Sequence, residues 1–116
     1  MPQAQCSIRH QSSRMTAPLR LFVVDYGDHL EVLSACEKLH LLSILTLWQA
    51  RDTELSNNSD ESIEEYTLAE AISDYPFDLG GGILGSLECL EGIEVDQILD
   101  LMVAITNQIR DGIYQA

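Results

Sequence analysis

A chain of 116 residues with 46% apolar side chains can build one domain around one modest core, too little for a catalytic domain beside a cofactor domain. That apolar content also excludes disorder throughout, despite a formal net charge of −13. The charge is uneven, because no Lys or Arg stands between Arg51 and Arg110 while fourteen Asp and Glu lie from Asp52 to Asp100; such a field repels nucleic-acid phosphates and anionic lipid and steers basic protein surfaces into encounter.

Residues 1–18 show no periodic apolar pattern and are expected to form a disordered N-terminal tail, dispensable for folding, ahead of a single acidic, mostly helical domain over 19–116. Met15, followed by Thr-Ala-Pro, offers a second candidate start, with residues 1–14 as an upstream extension. Leu19 to Asp25 is rich in β-branched and aromatic side chains and reads as a short strand closed by Tyr26-Gly27. Asp28 with Glu31 then forms a variant capping box, which predicts a helix running to about Gln49 or Arg51. Its second half, through Leu41, Leu42, Ile44, Leu45, Leu47 and Trp48, is apolar nearly all round and makes it the core helix, with truncation of Leu42 or Leu45 expected to be costly. A buried strand over His40 to Trp48 is the competing reading of the same run.

Asp52 to Glu61 carries Asn and Ser turn chemistry and is expected to be a polar loop. Thr67 with Glu70 makes a second capping box for a short helix stopped by Pro76. After the break at Gly80, Gly81 and Gly82, the residues Ile83, Leu84, Leu87 and Leu90 predict a third short helix ended by Gly92. The last segment places Val95, Ile98, Leu99, Met102, Ile105, Ile109 and Ile113 on one stripe with Asp96, Asp100, Asn107 and Asp111 opposite, an amphipathic helix whose acidic start and Arg110 near its end match the helix dipole. The expected fold class is therefore mostly α, a small single-domain helical bundle, with α+β carrying one or two short N-terminal strands as the alternative.

Three motifs invite chemistry. Gly80 to Gly85 matches G-x-G-x-x-G, but Ser73 to Leu79 holds Pro76 and two carboxylates instead of a hydrophobic strand, and no Lys follows as a phosphate-binding loop would need. A hinge or close helix packing explains these glycines, and no cofactor is expected. His29, Cys36 and His40 share a helical face, with Cys89 as the distant further soft ligand, yet side chains of a core helix explain them without a metal. Glu61 with Glu65 and Glu70 with Asp74 are i, i+4 carboxylate pairs that repel one another slightly. No Lys, Arg or His lies nearby to bind a substrate or split their pKa values, so catalysis is not expected.

Cys6, Cys36 and Cys89 are odd in number and contain no C-x-x-C pair, which suggests neither a disulfide framework nor a zinc knuckle and suits a reducing cytoplasm. The N-terminus lacks the apolar run of a signal peptide, and no stretch approaches the length of a membrane span. The sequence thus points to binding: a surface of Asp60, Glu61, Glu64, Glu65, Glu70, Asp74 and Asp78 that engages, and inhibits or regulates, a basic nucleic-acid-handling protein, without binding nucleic acid or membrane itself. Anti-restriction and anti-CRISPR mimics work in that style, an analogy of composition. The alternatives are an acidic chaperone or immunity-type protein that holds a secreted protein or toxin, and a small regulatory subunit of a larger complex; the C-terminal helix is a candidate homodimer contact.

Overall fold

A computed structural model describes residues 6–12, 15–58 and 66–114. Within them every regular element is a helix: α1 (Ile8–Gln11), α2 (Ala17–Tyr26), α3 (Ala35–Asn58), α4 (Leu68–Asp74), α5 (Gly81–Cys89) and α6 (Val95–Arg110). The small helical bundle is thus observed, without the N-terminal strand and without a strand over His40 to Trp48. No helix among the described residues is long and apolar enough to cross a membrane.

The tail expected over 1–18 is corrected over its described part. Ser7 caps α1 by accepting from the His10 amide at 3.2 Å, and Ile8 is completely buried in the main core cluster. Asp28, expected to start the core helix, instead serves α1: its carbonyl accepts from the Ile8 amide at 2.9 Å, and its carboxylate accepts from the Arg9 amide at 2.9 Å and from the Ser7 hydroxyl. These are the unpaired donors of a helix start, satisfied by a residue twenty positions away along the chain. One apolar residue in a polar stretch has no periodicity, which is why burial here was not legible locally. Residues 1–5 and 13–14 lie outside the described residues.

The predicted strand Leu19–Asp25 is helical because its buried set follows a period near 3.6: Leu19, Phe22 and Val23 are buried and Tyr26 is half-buried, while Leu21 and Val24 face outward at 58% and 74% exposure. Thr16 at the N-cap, Pro18 in the first turn and Gly27 at φ 92° after the last turn frame the helix. Thr16 is also tied to α6, its hydroxyl donating to Gln97 Oε1 at 2.8 Å. Tertiary burial overrides the β preference of the Val pair.

The core helix α3 starts later and ends later than expected. Its capping box is Ser34 with Glu37: the Glu37 amide donates to Ser34 Oγ at 3.1 Å, and the Ser34 amide donates to Glu37 Oε1 at 3.0 Å. The helix then runs through Arg51 to Asn58, into the stretch expected as a loop. Lys38, Leu41, Ile44 and Leu45 are completely buried along it, and α6 and α4 pack against it.

Thr67 and Glu70 cap α4 as predicted, with the Glu70 amide donating to Thr67 Oγ1 at 3.2 Å, and the helix stops before Pro76. On α5, Gly85 explains part of the glycine-rich stretch: a Cβ there would meet the Tyr26 hydroxyl at 2.9 Å, so the Tyr26 side chain would have to shift to admit an alanine. Among the described residues no strand precedes α5, so the context a dinucleotide-binding turn needs is not seen there. On α6 the buried side is Ile98, Leu101, Ala104 and Ile105, whereas Val95 and Leu99 of the predicted stripe are 53% and 50% exposed. Burial of each large aliphatic side chain there stabilises the fold by about 1.5–3 kcal/mol. The helix ends in a Schellman motif: Gly112, at φ 76°, donates to the Ile109 carbonyl and Ile113 donates to the Gln108 carbonyl at 2.8 Å.

Lys38 closes the assembly. Its Nζ donates to the His29 carbonyl at 2.9 Å, to Gln108 Oε1 at 2.9 Å and to the Ile113 carbonyl at 2.5 Å, while Gln108 Nε2 donates to the Cys6 carbonyl at 2.7 Å. One buried ammonium and one buried amide thereby join α3, α6, both terminal segments and the α2–α3 turn. No buried side-chain N or O among the described residues lacks a partner.

Candidate functional site

Of the seven predicted contact residues, Asp60, Glu61, Glu64 and Glu65 lie outside the described residues. Glu70 is exposed and its carboxylate accepts from Thr67 Oγ1 at 3.3 Å, so it serves both the cap and the surface. Asp74 is exposed and accepts from the buried Tyr66 hydroxyl at 2.5 Å. Burial, followed by that hydrogen bond and the Asp74 charge, pushes the Tyr66 phenol up to about 12. Asp78 is exposed in the connection between α4 and α5.

The structure adds carboxylates that the sequence reading left out of the site. Glu88, Glu91, Glu94 and Asp96 are exposed on α5, on the α5–α6 turn and at the start of α6. The stretch Tyr66 to Ile109 contains no Lys or Arg. The described cations lie elsewhere or are engaged. Arg51 pairs with Glu54 at 3.3 Å and lies over the Tyr66 ring at 5.8 Å, Arg110 pairs with Asp111 at 3.4 Å, and Lys38 is buried. Arg9 and Arg20 are exposed on the N-terminal elements.

Two adjoining clefts open in this acidic half. One, about 330 Å³, lies among Trp48, Asp52, Tyr66, Glu91, Ile93 and Val95. Its wall is fixed by the Trp48 indole donating to the Tyr66 carbonyl at 2.9 Å and the Tyr66 amide donating to Asp52 Oδ1 at 3.1 Å. The other, about 280 Å³, lies between α4 and α5, with Leu68, Ile72, Leu84 and Leu87 as its apolar lining and Glu88 and Glu91 among its charged residues. Leu68 and Glu91 line both. A third, more open groove of about 450 Å³ lies between α3 and α6 among Leu42, Thr46, Leu99, Met102, Val103 and Asn107.

No family model, no curated protein and no solved structure matches this chain.

The metal candidates do not converge. His29 lies 3.4 Å from Glu31, His40 Nδ1 is hydrogen-bonded to the Tyr75 hydroxyl at 2.7 Å, the Cys89 thiol donates to Asp25 at 3.6 Å, and Cys36 is exposed. Among the described residues no three His, Cys, Asp or Glu come together in a way that could hold a metal ion. Burial raises the Cys89 thiol, and the Asp25 hydrogen bond raises it further, which disfavours the thiolate. His40, Tyr75 and Phe77 form an aromatic trio with ring centroids 5.6–5.8 Å apart that seats the turn after α4 on α3. Burial lowers Lys38 to about 8, but its ammonium is enclosed and spent on three carbonyl oxygens, so it acts in the core and not on a substrate.

Proposed function

We propose that this chain is an acidic protein-interaction module that docks on a basic protein surface and regulates its owner by occupying it, a binding function in place of catalysis. The observation that carries this reading is the stretch Tyr66 to Ile109, which exposes Glu70, Asp74, Asp78, Glu88, Glu91, Glu94 and Asp96 with no cation among them. Carboxylates on folded helices offer Arg and Lys the same anionic oxygens as a phosphate backbone, so a nucleic-acid-handling protein with a basic groove is the partner class that fits best. Glu70, Asp74, Glu88 and Asp96 are held on helices α4, α5 and α6, which lets them present a fixed pattern at little ordering cost on binding.

The test is a charge reversal, Asp78→Lys with Glu88→Lys and Glu91→Lys, assayed by the salt needed to elute the protein from immobilised poly-L-lysine. Wild type should require far more salt than the triple variant, with circular dichroism unchanged because exposed charges contribute little to stability. Competition by duplex DNA for one basic DNA-binding domain should be mutual. Equal elution of the two proteins, or simultaneous binding of DNA and this protein to that domain, would overturn the reading.

A second reading is favoured by one observation, the half-exposed Leu99 and Val103 beside the α3–α6 groove, at 50% and 46%. An apolar partner surface or a second copy would cover them, as a holding protein or a homodimer requires. Light scattering of wild type against Val103→Glu separates a dimer from a monomer.

A further inference from the structure

We infer that the α4–α5 cleft is the anchor point of the docking surface: it takes one bulky aliphatic side chain from a positively charged segment of the partner, whose neighbouring Lys or Arg residues pair with Glu88 and Glu91. The inference rests on the acidic-module reading above and specifies where and how the partner is held.

Three features of the cleft select this occupant. Its lining is aliphatic: Leu68 and Leu87 are buried, Ile72 is half-buried and Leu84 stands at the mouth with 36% exposure. At about 280 Å³ it has room for a bulky aliphatic side chain inserted from a larger body. Its charged residues have a single sign. Leu84 and Glu88 are one helical turn apart on α5 and share a face, so the apolar mouth and a carboxylate are presented together. Glu91 also lines the neighbouring cleft with Asp52, so carboxylates continue beyond the anchor point.

Charge complementarity disfavours the other occupants of this cleft. A second copy of this chain would bring a net charge of −13 against −13, and an anionic membrane surface would meet the same repulsion. A neutral apolar segment would strip water from Glu88 and Glu91 without replacing it, whereas a basic one supplies charged donors at the edge of a dry anchor. A buried aliphatic anchor with a charged rim is the usual division of labour in a docking site, the first giving affinity and the second giving encounter rate and register.

The probe is a fluorescein-labelled helical peptide of fourteen Leu and Lys residues, read by fluorescence anisotropy against the full chain. It is compared with an equally charged peptide in which Ser replaces every Leu. The Leu–Lys peptide should bind about tenfold or more tightly than the Ser–Lys peptide. Leu84→Ser should erase that preference while leaving Ser–Lys binding unchanged. Glu88→Gln with Glu91→Gln should weaken both peptides at low salt and have little effect at high salt. Both changes lie at exposed positions, and Leu99→Ser in the α3–α6 groove controls for general loss of apolar surface; circular dichroism checks each fold. Equal binding of the two peptides to wild type would overturn the anchor and leave the acidic module standing. Loss of the preference in Leu99→Ser instead of Leu84→Ser would overturn the anchor by moving it to the other groove. Failure of both peptides to bind at low salt would overturn the acidic module itself, and the anchor with it.

Discussion

Replacing Ile8 by Ala tests whether the N-terminal segment belongs to the fold. Ile8 has no solvent exposure and sits in the main core cluster, so removing its outer carbons loses buried contacts and leaves a cavity that the short helix α1 cannot fill. Large-to-small changes of this kind cost about 2–5 kcal/mol. A domain of this size has a total stability of about 6–17 kcal/mol, so the loss is a substantial fraction of it. At about 4 °C per kcal/mol, the melting temperature should fall by about 8–20 °C. Urea unfolding followed by the fluorescence of Trp48 reads the effect from a distance, since Trp48 lies on α3 and reports the central core. Arg9→Ala, at the neighbouring exposed position, should change stability by less than about 0.5 kcal/mol and serves as control. If Ile8→Ala were as stable as Arg9→Ala, the segment would be a tail after all and the packing of α1 would be refuted.

Two further predictions concern the core. Lys38 should give a pH-dependent signature against Lys38→Met: burial lowers it from 10.5 to about 8, so between these values the unfolded chain binds a proton that the folded chain has released. Wild-type stability should therefore rise relative to the variant as pH goes from about 8 to 10.5; measuring the difference cancels the opposite drift from the raised phenol of Tyr66, while the Cys6 thiol, which the Lys38 charge holds down, is raised further in the variant and adds to the difference in the same direction. Denaturant midpoints of both proteins at about pH 7 and pH 9.5 check it, and a difference that is flat or moves the other way would refute it. Leu45→Ala should cost about 2–5 kcal/mol, because Leu45 is completely buried, whereas Leu42→Ala should cost less than half as much, because Leu42 borders the open α3–α6 groove. Equal losses in denaturant melts would show that the groove is closed in solution.

What the sequence made legible follows the strength of its local signals. Thr67 with Glu70 and the stop at Pro76 located α4, and the long apolar period located α6, because both rest on contacts within one or two turns. The start of α3 was misplaced because Asp28–Glu31 and Ser34–Glu37 both have capping spacing, and only tertiary structure shows that Asp28 is committed to α1. The same competition between local and distant partners hid α2, where Thr16, Pro18 and Gly27 framed a helix that the Val pair disguised as a strand. At the candidate site, the absence of Lys and Arg from Tyr66 to Ile109 was plain, but the clefts were not. A cleft is made by residues such as Leu68 and Glu91 that meet across elements, and one chain carries no record of such pairs.

The closure around Lys38 also sets the order in which the molecule can be made. Gln108 reaches back 102 positions to Cys6, and Lys38 reaches forward 75 positions to Ile113. At a synthesis rate of about 5–20 residues per second, the segment around Cys6 to Ser12 waits several seconds for the partners that bury it. During that interval Ile8 and the buried face of α3 have no α6 to pack against, and sequence-distant closure adds its own entropic delay once α6 arrives. The contacts that close the fold around Lys38 therefore form only after residue 113 has been added, and the acidic excess, which lies wholly beyond Arg51, joins the chain only in the second half of synthesis.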